Sequence, residues 1–112
     1  MKKLEIIIRP EKLEELKEIL NSIGIAGMTV SMVSGCGKQK GRKGVYRGTE
    51  YSINLLPKVK VEVVVSDKIV ETIIEKVIST VRTGEIGDGK IFIYDVYDVV
   101  KVRTGERGEE AL

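Results

Sequence analysis

The order of elements legible in this sequence is β-α-β-loop-β-α-β. It predicts an α+β domain of the ferredoxin-like kind, a split βαβ sandwich in which two helices cover one face of a sheet. Three observations carry the prediction. Residues 13–23 and 70–81 bear apolar side chains at three- and four-residue steps, short runs of β-branched residues flank each of these stretches, and one long segment between the halves has no period at all. A chain of 112 residues fits a single domain, 1–112, with one core.

Residues 4–9, rich in isoleucine, read as the first strand, and Pro10 suits the first turn of the helix that follows. Leu13, Leu16, Ile19, Leu20 and Ile23 make one apolar face, and Gly24 ends the helix. Met28, Val30 and Met32 alternate with Thr29, Ser31 and Val33, which is strand spacing. No regular element is expected between residues 37 and 55. Strand alternation returns at Val59, Val61, Val63 and Val65. Asp67 is the expected cap of a second helix, with Val70, Ile73, Ile74, Val77 and Val81 inward and Gly84 at its far end. Residues 90–95 are a fourth strand and 99–103 a short fifth; the charged tail 104–112 is expected to be mobile. Helices on one sheet face leave Ile7, Val33 and Val64 on the other, which predicts that a second copy of the chain covers them.

Composition excludes much chemistry. With no histidine and one cysteine, Cys36, the chain lacks Ser/His/Asp triads, Cys/His pairs, imidazole metal ligands and an internal disulfide. Catalysis is not expected. Nineteen basic residues against seventeen acidic give a net charge of +2, and with few aromatic residues the chain offers nucleic acid neither a strong field nor a stacking platform. No apolar run reaches the ~20 residues of a membrane span, and the start, Met1-Lys2-Lys3-Leu4-Glu5, lacks the apolar core of a signal peptide, so the cytoplasm is the expected compartment.

Two loops stand out. Residues 38–47 hold Lys38, Lys40, Arg42, Lys43 and Arg47 with no acidic residue, and five glycines fall between positions 35 and 48. The second, Thr83-Gly84-Glu85-Ile86-Gly87-Asp88-Gly89-Lys90, has the G-x-x-x-x-G-K spacing of a phosphate loop. Ile91 stands where the magnesium-binding hydroxyl belongs, and helix precedes strand, the reverse of a P-loop. Glycines can still converge backbone N–H groups on an anion beside a lysine. The spacing alone fits a helix cap and a Gly-Asp-Gly turn equally well. Lys101 and Arg103 share a face if residues 99–103 are a strand, and would sit beside Lys90 if the two strands are neighbours.

Two of these segments, Tyr46-Arg47-Gly48-Thr49-Glu50-Tyr51 and TGEIGDGKIF from Thr83, resemble the P-II nitrogen-regulatory signalling proteins. GMTVS from Gly27, GKQKG from Gly37, LPKVK from Leu56 and VRTGE from Val102 extend the resemblance over the chain. It implies a homotrimer holding ATP or ADP between subunits, with a T-loop at about 37–55, a B-loop at about 82–90 and a C-terminal loop at about 101–112. By matching positions, the resemblance places Gly87, Asp88, Gly89 and Lys90 around the phosphates with Lys101 and Arg103 of a neighbour, and Thr29, Gly35, Gly37, Lys38 and Val64 at adenine and ribose. It implies 2-oxoglutarate at Gln39, Lys58 and Gly87, with Mg2+ on Gln39 and both small molecules, and Tyr51 as a uridylylation position. The implied partners are an ammonium transporter and nitrogen-metabolism enzymes or regulators; a nitrogenase regulator or a weak ATP-hydrolysing enzyme are the alternatives. Lys38 and Lys101 replace arginines common in the family, exchanging a planar fork for a point charge. Thr49 and Cys36 also depart from its usual pattern.

Overall fold

The structure, a computed structural model, describes residues 1–36, 42–46, 49–53 and 55–112, and for 42–46 and 49–53 the backbone alone. The main sheet has four antiparallel strands in the order β2-β5-β1-β6: β1 (Lys2–Ile8), β2 (Thr29–Gly35), β5 (Leu56–Val65) and β6 (Lys90–Asp95). The first and third of these in chain order occupy the centre, the placement a split βαβ arrangement requires. Helices α1 (Leu13–Ser22) and α2 (Val70–Val81) pack on one face.

The core is what the two periods dictate. Leu4, Ile6 and Ile8 of β1 alternate inward and meet Val59, Val61, Val63 and Val65 of β5, with Leu16, Leu20, Ile73 and Val77 closing over them from the helices. Each is buried essentially completely. Gly24, at φ +86°, follows α1 as expected and donates its N–H to Asn21 O at 3.0 Å. Pro57 is tolerated because the pairing of β1 with β5 ends at Val59, so its missing N–H costs the centre of the sheet nothing.

Several expectations are corrected. Residues 42–53 contain a two-stranded sheet, β3 (Arg42–Tyr46) and β4 (Thr49–Ile53), where no regular element was expected. Ser66 rather than Asp67 caps the second helical segment: its Oγ accepts from Lys68 N, and Asp67 pairs with the N-terminal amine at 3.1 Å. Residues 99–103 are not a strand. Val100 makes one isolated bridge to Arg107, and the chain turns between them, since Gly105 N–H donates to Lys101 O at 2.7 Å. The tail is ordered, ending in a 3-10 turn over Gly108–Ala111, and Ser66 Oγ donates to Glu109 at 2.9 Å.

The face without helices differs from a continuous apolar surface. Ile7, Val33 and Val64 lie on it, half-buried, but between them runs a neutralised lattice of charges. Lys3 pairs with Glu62 at 3.3 Å, Lys60 with both Glu5 and Glu62 at 3.7 Å, and Tyr94 donates its hydroxyl to Glu5 at 3.1 Å while Lys3 sits over its ring.

Candidate functional site

The segment between α2 and β6 is held by four separate restraints. Asp88 supplies the first. Its carboxylate accepts from the N–H groups of Thr83 and Gly84, both at 2.8 Å, and from the Thr83 hydroxyl. These bonds, the Thr83 hydroxyl foremost, hold the carboxyl far below the usual carboxylate range. Arg9, at the end of β1, supplies the second: Nη2 donates to Ile86 O at 2.9 Å while Nε faces Asp88 at 3.4 Å. Lys58 of β5 donates to Gly87 O at 2.7 Å. The last is steric, for Gly89 lies so close to β1 that a Cβ there would stand 1.7 Å from Ile7 O.

Backbone geometry explains the glycines. Gly84, Gly87 and Gly89 have φ of +90°, +104° and +109°, which other L-residues adopt only with strain. The N–H groups of Gly87 and Gly89 take part in none of the loop's hydrogen bonds among the described residues. Lys90 begins β6, paired with Ile7 on the helix-free face. Around this loop stand Arg9, Lys58 and Lys90. Partial burial, with the Arg9 guanidinium nearby, lowers the Lys58 pKa against the opposing pull of the Glu11 and Asp88 carboxylates.

The structure brings together only part of the predicted set. Gly35 lies against Lys58, since a Cβ on it would contact the lysine's Cγ at 3.6 Å, so Gly35, Lys58 and Gly87 to Lys90 share one end of the sheet. Thr29 and Val64 are at the other. Thr29 pairs with Glu62, and Val64 is six residues along β5 from Lys58, about 20 Å at strand rise. Lys101 and Arg103 stand on the C-terminal turn, not on a strand beside Lys90, and β6 pairs only with β1 among the described residues. Gly37, Lys38 and Gln39 lie outside the described residues, and Tyr51 is in β4, described as backbone alone.

Arg9 holds the glycine loop and Asp98 closes the C-terminal turn, and the sequence pattern singles out neither. Arg9 reads as the flank of a strand, and only its position before Pro10, where the chain leaves the sheet, marks it. Asp98 falls between two expected strands, where no period marks it; its carboxylate accepts from Val99 N at 2.8 Å, from Gly108 N at 3.1 Å and from Arg107 Nη1 at 2.7 Å.

Comparison with known proteins agrees with this architecture. The family model described as Nitrogen regulatory protein P-II matches residues 1–106. The chain belongs to the P-II family. It is 54% identical over 112 residues to the Nitrogen regulatory protein P-II of Pasteurella multocida (strain Pm70), and 52% identical to those named Nitrogen regulatory protein P-II from Klebsiella oxytoca and Nitrogen regulatory protein P-II 1 from Escherichia coli (strain K12). Each match covers the whole of both chains. The P-II relatives are thus named as nitrogen regulatory proteins. No helix among the described residues of this P-II chain is long and apolar enough to cross a membrane.

Proposed function

We propose that this P-II protein is a nitrogen-regulatory signalling protein that senses ATP or ADP together with 2-oxoglutarate in clefts between the subunits of a homotrimer. Its output is the T-loop, about 37–55, which engages an ammonium transporter and nitrogen-metabolism enzymes or regulators in the cytoplasm. The observation that carries the reading is the restrained glycine loop, in which N–H groups of Gly87 and Gly89 are left for an anion next to Lys90 and Lys58. Such a nest with adjacent cations fits a polyphosphate.

A shared cleft follows from the separation within one chain. Thr29 and Val64 are too far along the sheet to reach a ligand seated on Gly87 to Lys90 of the same protomer, so adenine and phosphate contacts come from different copies. Lys101 and Arg103 reach the phosphates from a neighbour. That neighbour also covers Ile7, Val33 and Val64.

Among the described residues no group of three or more His, Cys, Asp or Glu side chains is placed to hold a metal. Gln39 would be the protein ligand of a Mg2+ at the site, whose charge would offset the repulsion between dicarboxylate and triphosphate. Lys58 then takes a carboxylate of 2-oxoglutarate in place of Gly87 O. Since Gln39 and Lys58 lie near the two roots of the T-loop, filling the site shifts the loop's population, and ADP leaves the arrangement incomplete. Tyr51 is the uridylylation position.

Calorimetric titration tests the reading. 2-Oxoglutarate should give heat only with Mg-ATP present, and Gln39→Ala should abolish that heat while sparing most ATP affinity. Binding of the two ligands independently of each other refutes the bridged arrangement, and steady release of phosphate favours the ATP-hydrolysing alternative. Light scattering should report three subunits; a monomer at micromolar concentration refutes the shared cleft.

A further inference from the structure

We propose that Asp98 is a positioning residue, which closes the 98–108 segment so that Lys101 and Arg103 are presented as a preset cationic pair to the phosphates of a nucleotide on a neighbouring copy. The proposal rests on the nucleotide reading above and adds to it how the two cations are held.

The segment forms a closed loop. Gly108 N–H donates to Val99 O at 3.0 Å, Lys101 N–H to Glu106 O at 2.9 Å and Gly105 N–H to Lys101 O at 2.7 Å. Val102, at the tip, is 99% exposed, and Arg103 is exposed beside it, so no apolar packing holds this end in place. Polar contacts must do it. At the mouth a single carboxylate ties both strands of the loop: Asp98 receives Val99 N–H from one side, and Gly108 N–H and the Arg107 guanidinium from the other. The loop's two glycines, Gly105 and Gly108, have φ of +75° and +69°, a conformation that other L-residues adopt only with strain, and their own freedom leaves the polar ties at the mouth to fix the turn. Lysine and arginine lose much rotamer and backbone freedom on binding an anion; closing their loop beforehand removes part of that cost.

The mechanism predicts non-additivity. Asp98→Ala should weaken ATP binding about tenfold, the scale of a lost charge-assisted hydrogen bond. In a chain already carrying Lys101→Ala and Arg103→Ala it should weaken ATP binding no further, because Asp98 acts through those two side chains. Asp98→Asn, which keeps an oxygen for the two N–H groups but loses the charge facing Arg107, should fall between. Amide exchange at Lys101, Gly105 and Gly108 should accelerate in Asp98→Ala without nucleotide, with unchanged circular dichroism and subunit number. Wild-type ATP affinity in Asp98→Ala, an equal loss in both backgrounds, or unchanged exchange overturns the proposal alone. Failure of the wild-type protein to bind ATP refutes the nucleotide reading and this proposal together.

Discussion

Replacing Gly89 by alanine probes the tightest contact of the glycine loop between α2 and β6. The new Cβ would stand 1.7 Å from Ile7 O and 2.8 Å from its carbonyl carbon, at a φ of +109°. The positive φ alone costs an L-residue about 1–2 kcal/mol. Relieving the overlap requires a shift of more than an ångström, and neither partner is free to make it. Ile7 lies in a central strand, and the residue after Gly89 pairs with that same Ile7. Forcing atoms into such a site costs about 1–3 kcal/mol more. Gly84→Ala is the internal control, since Gly84 has φ of +90° but nothing within 4 Å of its would-be Cβ, and only the first cost applies. The difference between the two variants is therefore about 1–3 kcal/mol, which at ~4–8 °C per kcal/mol puts Gly89→Ala at least ~4 °C below Gly84→Ala. Thermal denaturation followed by far-ultraviolet circular dichroism, at one subunit concentration for both, measures it. Equal melting temperatures would refute the steric argument, and so would a Gly89→Ala protein as stable as wild type.

Further outcomes are expected. Asp88 and Asp98 titrate below their ordinary value in the folded chain, so the stability they lend is complete above the carboxylate pKa of the unfolded chain, about 4, and is lost as pH falls below it; melting temperature should drop between pH 5 and 2, with a shallower slope in Asp98→Asn. Leu16→Ala removes a fully buried side chain on the sheet-facing side of α1 and should cost about 2–5 kcal/mol in urea denaturation, with no change in midpoint contradicting the packing described. Arg9→Ala should raise exchange at the amides of residues 83–89 and weaken ATP binding, and Arg9→Lys should restore only part, because one ammonium cannot serve Ile86 O and Asp88 as a guanidinium does.

The parts of the fold read from sequence are those with one face against a core. Leu16 and Leu20, or Val59 through Val65, announce their element because burial imposes a period. β3 and β4 carry no such signature: Arg42 to Tyr46 is basic and glycine-bearing, and the pairing that makes it a strand is with its own return segment. Residues 99–103 misled for the converse reason, since Val-Val-Lys-Val-Arg has a strand's alternation, while the turn is made by Gly105 and by an acid at position 98 that no period reveals. In the site, the glycines mark the turn between α2 and β6 in the sequence itself. The side chains restraining that loop are not marked there, because Arg9 and Lys58 come from strands 77 and 29 residues away in sequence.

Those distant restraints limit how the glycine loop could be transplanted. Its shape is not encoded in the nine residues from Arg82 to Lys90; moved alone into a foreign scaffold, the segment would lose the guanidinium, the ammonium and the carbonyl wall that mould it. A designer would have to carry β1 and the start of β5 along with it. Mutational drift faces the same linkage, for a change of course in β1 that spares the core would still misshape the pocket.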